Sequence, residues 1–165
     1  MEYLRQTIVI PILCYLALLI EFTLFNLFGR WGDPDLLLLI VIFFNLYSGI
    51  RFSLWAAVWA GLMMDCFSTM PFGTSIFVYV ACAYISMAVR KYCYERGSNL
   101  SRLWMVVCVV TAHTLIMGLL HKMIFEEISW LEVVKTILVP QLIITGAVAI
   151  FVFDRLRETA RILKF

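Results

Sequence analysis

Glu21, Asp65 and His113 lie inside long apolar runs of the sequence. An ionisable side chain at such a position is costly and marks a functional site by default. Two carboxylates and an imidazole are groups that bind protons, pair across helices or hold the polar end of a ligand. Asp65 has the most informative surroundings, the stretch GLMMDCFSTMPFG from Gly61 to Gly73. Steps of four back along the chain reach Gly61, Ala57 and Ser53, which share one helix face with Asp65. Small residues at that spacing let a second helix approach closely, so Asp65 is expected in a helix–helix seam and not against lipid. Ser68 to Gly73 are uncharged turn formers; Pro71 and Gly73 end the helix, and Thr74 or Ser75 is placed to cap the next one. The expectation is an ionised Asp65 that accepts hydrogen bonds from hydroxyls or free amides and braces this turn. A direct role in a partner or ligand site is the competing reading.

Glu21 falls in the outer half of the first apolar run, with Asn26 beyond it. At a rise of about 1.5 Å per residue its depth is close to that of Asp65. Two carboxylates at one depth share a proton or a basic partner if their helices touch; the plainer reading is a protonated or hydrogen-bonded packing residue. His113 sits mid-run in TAHTLIMGLL, with Thr114 and Gly118 four apart, and His121 follows near the boundary. A histidine among threonines reads as an interhelical hydrogen bonder before it reads as a catalyst. The chain has no HExxH, GxSxG, Walker A or GxGxxG stretch. Without a nucleophile, a base and an oxyanion site to point to, no enzymatic activity, cofactor or metal site is expected.

The elements that must position these groups are membrane helices. Of 165 residues 64% are hydrophobic and 15% charged, and the mean hydropathy is +0.97. Soluble domains are nearer half apolar and a quarter charged. A helix needs roughly 20 apolar residues to cross the hydrocarbon, and six segments approach that length, at about residues 7–28, 35–50, 52–69, 74–89, 103–124 and 133–153. The expected fold is an all-α integral membrane protein, one bundle of six transmembrane helices forming a single domain over residues 1–165. The second and third segments join around Gly49-Ile50-Arg51, which reads as a hairpin turn with Arg51 extending to the headgroups. The first run, Thr7 to Phe28, is too long for the apolar region of a signal peptide and lacks a small-x-small cleavage site, so it is read as a retained helix. Pro11 and Pro140 fall inside the first and last segments and are expected to kink them. The five cysteines are scattered without a CxxC pair and point to neither a disulfide framework nor a metal site.

Lysine and arginine set the orientation. An even number of helices puts both termini on one side, together with Arg5, Arg51, Arg90, Lys91, Arg96, Arg102, Arg155, Arg157, Arg161 and Lys164. The other side holds Arg30, Lys122 and Lys135, with Asp33, Asp35, Glu126, Glu127 and Glu132 in its loops. Ten against three places both termini in the cytoplasm. Trp31, Trp104 and Trp130 fall near segment ends, as interfacial indoles do. The basic stretches RKYCYERGSNLSR and DRLRETARILKF are a solvated, orienting surface that can also meet anionic lipid. Neither has the aromatic interleaving of a nucleic-acid site.

Two stretches carry a family resemblance. PDLLLL, from Pro34 and Asp35 to Leu39, opens the second segment and resembles the corresponding start in the rod shape-determining protein MreD family. The pattern D-x-x-S-x-x-P-x-G, carried by Asp65, Ser68, Pro71 and Gly73, resembles that family's central signature, with Phe72 where the family often has leucine. The spacing of the two stretches, the six-segment layout and the chain length fit as well. The resemblance implies a non-catalytic protein of the bacterial inner membrane, multi-pass, in the cell-elongation machinery. Such a protein binds the bitopic protein MreC and acts with MreB, RodA and a penicillin-binding transpeptidase to organise lateral peptidoglycan synthesis and rod shape. It also implies a fold similar to the substrate-binding subunits of energy-coupling-factor vitamin transporters.

Three readings follow. In the first, the chain is a membrane scaffold whose Ser53/Ala57/Gly61 face packs a helix, from a partner or from the chain itself. In the second, it is a vitamin-uptake subunit with an outward polar pocket drawing on Glu21, Asn26 and Asp65. In the third, it is a proton-coupled carrier using Glu21, Asp65 and His113.

Overall fold

The computed structural model describes residues 2–28, 35–93, 99–125, 141–142 and 144–149. They form helices α1 (Glu2–Phe28), α2 (Leu36–Tyr47), α3 (Ile50–Asp65), α4 (Thr74–Cys93) and α5 (Asn99–Phe125). Residues 141–142 and 144–149 are helical too. No strand occurs among the described residues, and the all-helical class expected from composition is what folds. Of the last expected segment, 133–153, only those eight residues lie within the description; Pro140 falls outside it.

The bundle is built around α2. Every residue from Leu36 to Leu46 is buried, so this helix is apolar on all faces and enclosed by its neighbours. It packs against α1, α3, α4 and α5. At 12 residues it is shorter than the expected 35–50 segment, and about 18 Å of rise cannot cross a hydrocarbon layer near 30 Å thick. Among the described residues, the stretch long and apolar enough to span is Leu103–Ile124 of α5, with Ile8–Thr23 of α1 a shorter apolar helix. The described side chains of α1 divide between core and periphery. Ile10, Cys14, Ala17 and Leu18 are buried, whereas Ile8, Ile12, Tyr15, Leu16, Leu19 and Ile20 are exposed. An exposed apolar face of that extent suits lipid and not water.

The joints are local and explicable. Tyr47 ends α2 because Ser48 and Gly49 both donate their N–H to the Phe44 carbonyl, at 2.9 Å each. Gly49 then takes φ +92°, a conformation that side-chain-bearing residues rarely adopt. The turn is therefore Ser48-Gly49, and Arg51, exposed as expected, lies in the first turn of α3. At its other end α3 stops at Asp65, four residues earlier than the sequence reading placed it, because residues 66–73 form the turn into α4. The helix α4 runs past the apolar stretch to Cys93, taking Arg90 and Lys91 into its last turn. Nothing in Arg90-Lys91 breaks a helix, so hydropathy marks where lipid ends and not where the helix does.

Candidate functional site

The turn between α3 and α4 is organised by one carboxylate. The Oδ2 of Asp65 accepts from the Gly73 N–H at 2.8 Å and the Ile76 N–H at 3.4 Å, and Oδ1 accepts from the Ser75 N–H at 2.8 Å. The first amides of a helix have no intrahelical acceptor, and where they are buried against a neighbouring helix water does not supply one. Asp65, itself buried, supplies that acceptor from the preceding helix and places its charge at the positive end of α4. Gly73 takes φ +99° in this turn while its N–H meets the carboxylate. The Thr74 hydroxyl donates instead to the Pro71 carbonyl, and the Ser75 hydroxyl is buried without a partner. Neither side chain caps α4, contrary to the sequence expectation, because Asp65 is already there. Ser68 closes the near side of the turn, its Oγ accepting from the Met70 N–H at 3.1 Å.

The approach that makes this possible depends on Gly61. A Cβ placed there would lie 2.4 Å from the Ile76 Cα and 2.7 Å from the Ile76 backbone nitrogen. The absent side chain lets the first turn of α4 rest on the backbone of α3, one turn below Asp65. Ser53, Ala57, Gly61 and Asp65 are all buried, and the Ser53 hydroxyl donates to the Val41 carbonyl of α2 at 3.0 Å. The small-residue face is thus filled by α2 and α4 of the same chain.

A second polar cluster centres on Asp35. The sequence reading placed this residue in an outer loop; the structure buries it, at 5% exposure, as the N-cap of α2. A run of leucines with no free polar group makes α2 a core helix, and its capping residue goes into the core with it. Oδ1 accepts from the Leu38 N–H at 2.9 Å and from the Tyr79 hydroxyl of α4 at 3.0 Å. Oδ2 faces Nδ1 of His113 on α5 at 3.4 Å. The Asp35 N–H donates to the Thr145 hydroxyl at 3.4 Å. The His113 ring lies 5.3 Å from that of Tyr79, centroid to centroid. Beside it, the Thr114 hydroxyl donates to Gln141 Oε1 at 2.9 Å. Through its carboxylate and its backbone N–H, Asp35 thereby brings together α2, α4, α5 and Thr145.

Asn45 fixes the opposite end of α2. Its amide nitrogen donates to the Ala83 carbonyl at 3.0 Å and to the Ser86 hydroxyl, and the Arg90 guanidinium donates to the Asn45 carbonyl. Both ends of the central helix are therefore pinned to α4.

The sequence-selected residues fall into this scheme unevenly. His113 faces Asp35 across 3.4 Å, but neither of its ring nitrogens makes a hydrogen bond. Asp65 belongs to the turn cluster and His113 to the Asp35 cluster, so the trio of Glu21, Asp65 and His113 is not one site. Glu21 is half-buried on α1. Pro34 and the Asn26 side chain lie outside the described residues. Tyr79, Asn45 and Thr145 were passed over because each is a single polar residue in an apolar run. The signal was present in α4, where Ser75, Tyr79, Ala83, Ser86 and Arg90 recur at helical spacing along one face.

Apolar helices with lipid-suited faces and buried carboxylates spent on helix ends fit a helical membrane protein. The model of the family described as rod shape-determining protein MreD matches residues 1–156, and the chain belongs to that family. The family places it in the membrane and gives it a role in determining rod cell shape. No curated protein and no solved structure matches the chain. The likeness to vitamin-transporter subunits accordingly rests on the sequence resemblance alone.

Proposed function

We propose that this protein is a non-catalytic membrane scaffold of the cell-elongation machinery, which binds MreC and so helps organise lateral peptidoglycan synthesis with RodA, a penicillin-binding transpeptidase and MreB. The observation that carries the reading is the family match over residues 1–156. The geometry supports it: the Asp65 carboxylate and both ends of α2 are engaged within the bundle, holding helices in register. Affinity purification from native membranes in mild detergent, followed by mass spectrometry, tests the proposal. Recovery of MreC with RodA or the transpeptidase is the expected result. Recovery of a transporter ATPase module in their place would overturn it.

The proposed orientation has both termini in the cytoplasm of a bacterial inner-membrane, multi-pass chain, which puts the 66–73 turn on the outer side. Cys66 is exposed at the start of that turn, whereas Cys14 and Cys82 are buried. In a variant with Cys66 as its sole cysteine, a membrane-impermeant maleimide added to intact spheroplasts should label the chain fully. Labelling that requires broken membranes would reverse the topology.

A further inference from the structure

The turn between α3 and α4 stands well short of the end of its neighbours. From Arg51, exposed in the first turn of α3, to Asp65 the helix rises about 21 Å, against a hydrocarbon layer near 30 Å thick. The core gives the same shortfall. Asp65 holds the Ser75 N–H, and four residues further along α4 the Tyr79 hydroxyl meets Asp35, which faces His113. The turn after Asp65 therefore lies about 6 Å, one helical turn, beyond the level of His113. Five residues join Cys93 to Asn99, too few to return along α4, so α5 runs back toward this turn. Past His113 its apolar run continues to Ile124, about 16 Å further. The helix α1 also outlasts the turn, running on to Phe28 from Phe22, whose ring meets that of Phe67 at 5.0 Å.

Residues 66–73 carry no charge, and Phe67, Thr69, Pro71 and Phe72 are exposed on backbone that is neither helix nor strand. Exposed irregular backbone does not occur against acyl chains, because its amides and carbonyls find nothing there to bond. The turn must then meet a polar phase about 10 Å nearer the bilayer centre than the end of α5 does. Its rings say which phase. Phe67 is 62% exposed, Phe72 70% and Phe77 62%, and such rings belong against acyl chains at the headgroup boundary and not along a water channel.

We propose that the bundle thins the bilayer on its α3–α4 flank, from about 30 Å of hydrocarbon to about 21 Å, so that headgroups descend to the 66–73 turn while α5 keeps the full thickness. Bilayers shorten in this way to meet a short hydrophobic stretch, at a modest cost per ångström. Asp65 makes the short stretch tenable, since it takes up the Gly73 and Ser75 amides where headgroups and water do not reach. Lipids with short chains and partner helices with short spans are favoured on this flank over the opposite one. The inference rests on the membrane location of the chain, and neither on its orientation nor on MreC.

Spin-label depth in dioleoylphosphatidylcholine bilayers tests it. One full-length variant keeps Cys66 as its sole cysteine; another has all five cysteines replaced by alanine and carries Leu119→Cys. Leu119 is exposed on α5 six residues past His113, hence at least as far out as Cys66, and at both positions a nitroxide displaces nothing from the core. The ratio of accessibility to a water-soluble nickel chelate over oxygen should be several-fold higher at position 66 than at 119. Bilayers doped with a nickel-chelating lipid should relax the label at 66 more strongly as well, because the headgroups themselves have come down. Equal ratios at the two positions would overturn the proposal. So would a label at 66 that the free chelate reaches and the lipid-borne nickel does not, since the water would then lie in a recess of the protein. The unsubstituted chain gives a second check by hydrogen–deuterium exchange in bilayer nanodiscs. Amides across residues 67–72 should exchange within minutes, and protection lasting hours would place the turn in hydrocarbon and end the idea.

Discussion

Replacing Gly61 with alanine should lower the stability of the detergent-solubilised protein by about 3 kcal/mol, the upper end of what overpacking a core usually costs. The new methyl would lie 2.4 Å from the Ile76 Cα, and that neighbour is backbone, with no rotamer to turn aside. Relief requires the first turn of α4 to move off α3. That movement draws Gly73, Ser75 and Ile76 away from Asp65, so the steric cost and the loss of hydrogen bonds fall together. Gly61→Leu should prevent stable accumulation in the membrane. Gly146 is the control: it is helical, and a Cβ there meets nothing within 4 Å, so Gly146→Ala should be neutral or slightly stabilising. Thermal denaturation followed by helical circular dichroism reads the two alanine variants, and the amount of chain in the membrane fraction reads Gly61→Leu. A Gly61→Ala protein with parental stability but without its partner would mean that the small-residue face meets another chain.

The outcome bears on how the sequence is to be read. A small residue at every fourth position announces a close helix contact but not the identity of the second helix, because van der Waals complementarity between helices is the same within a chain and between chains. What assigns this face to the chain itself is the pairing of Gly61 with Ile76 and of Ser53 with Val41, and long-range contacts are not written in local spacing. The Asp65 turn was more legible. Its donors lie within 11 residues of the carboxylate, and Pro71 and Gly73 mark the reversal. Asp35 was the least legible. It follows a proline and precedes a leucine run, so polarity placed it at the surface, while the enclosure of α2 carried it inside. Its partners Tyr79, His113 and Thr145 are 44, 78 and 110 positions away. The helix lengths erred for a related reason. Hydropathy reports what lipid and core tolerate, whereas the ends of α2 and α3 are set by Gly49 and by the turn after Asp65.

Asp65→Ala should cost about 3 kcal/mol or more, since a hydrogen bond to a charged group contributes roughly 1.5–3 kcal/mol net and two of those lost here are short. A helix cap in water contributes less, typically about 1 kcal/mol, because solvent takes over the freed amides. Buried against α3, the amide of Ser75 has no such substitute. Asp65→Asn tests whether charge or shape matters. It keeps one oxygen acceptor but turns an NH2 group toward a second donor, so it should lose most of what alanine loses. Ser75→Ala separates the amide from its side chain: the hydroxyl has no partner, and its removal should leave stability unchanged or slightly raised. Thermal denaturation of the three variants gives the order expected of a cap delivered from α3 to α4, with Ser75→Ala highest, Asp65→Asn well below it and Asp65→Ala at or below Asp65→Asn. Parental stability in Asp65→Asn together with lost partner recovery would move the carboxylate from the turn to an interface. Retention of both would leave the charge without a role. A melting loss shared by Asp65→Asn and Gly61→Ala, and not deepened when the two are combined, would show that the close approach at Gly61 and the capped turn are one cooperative unit.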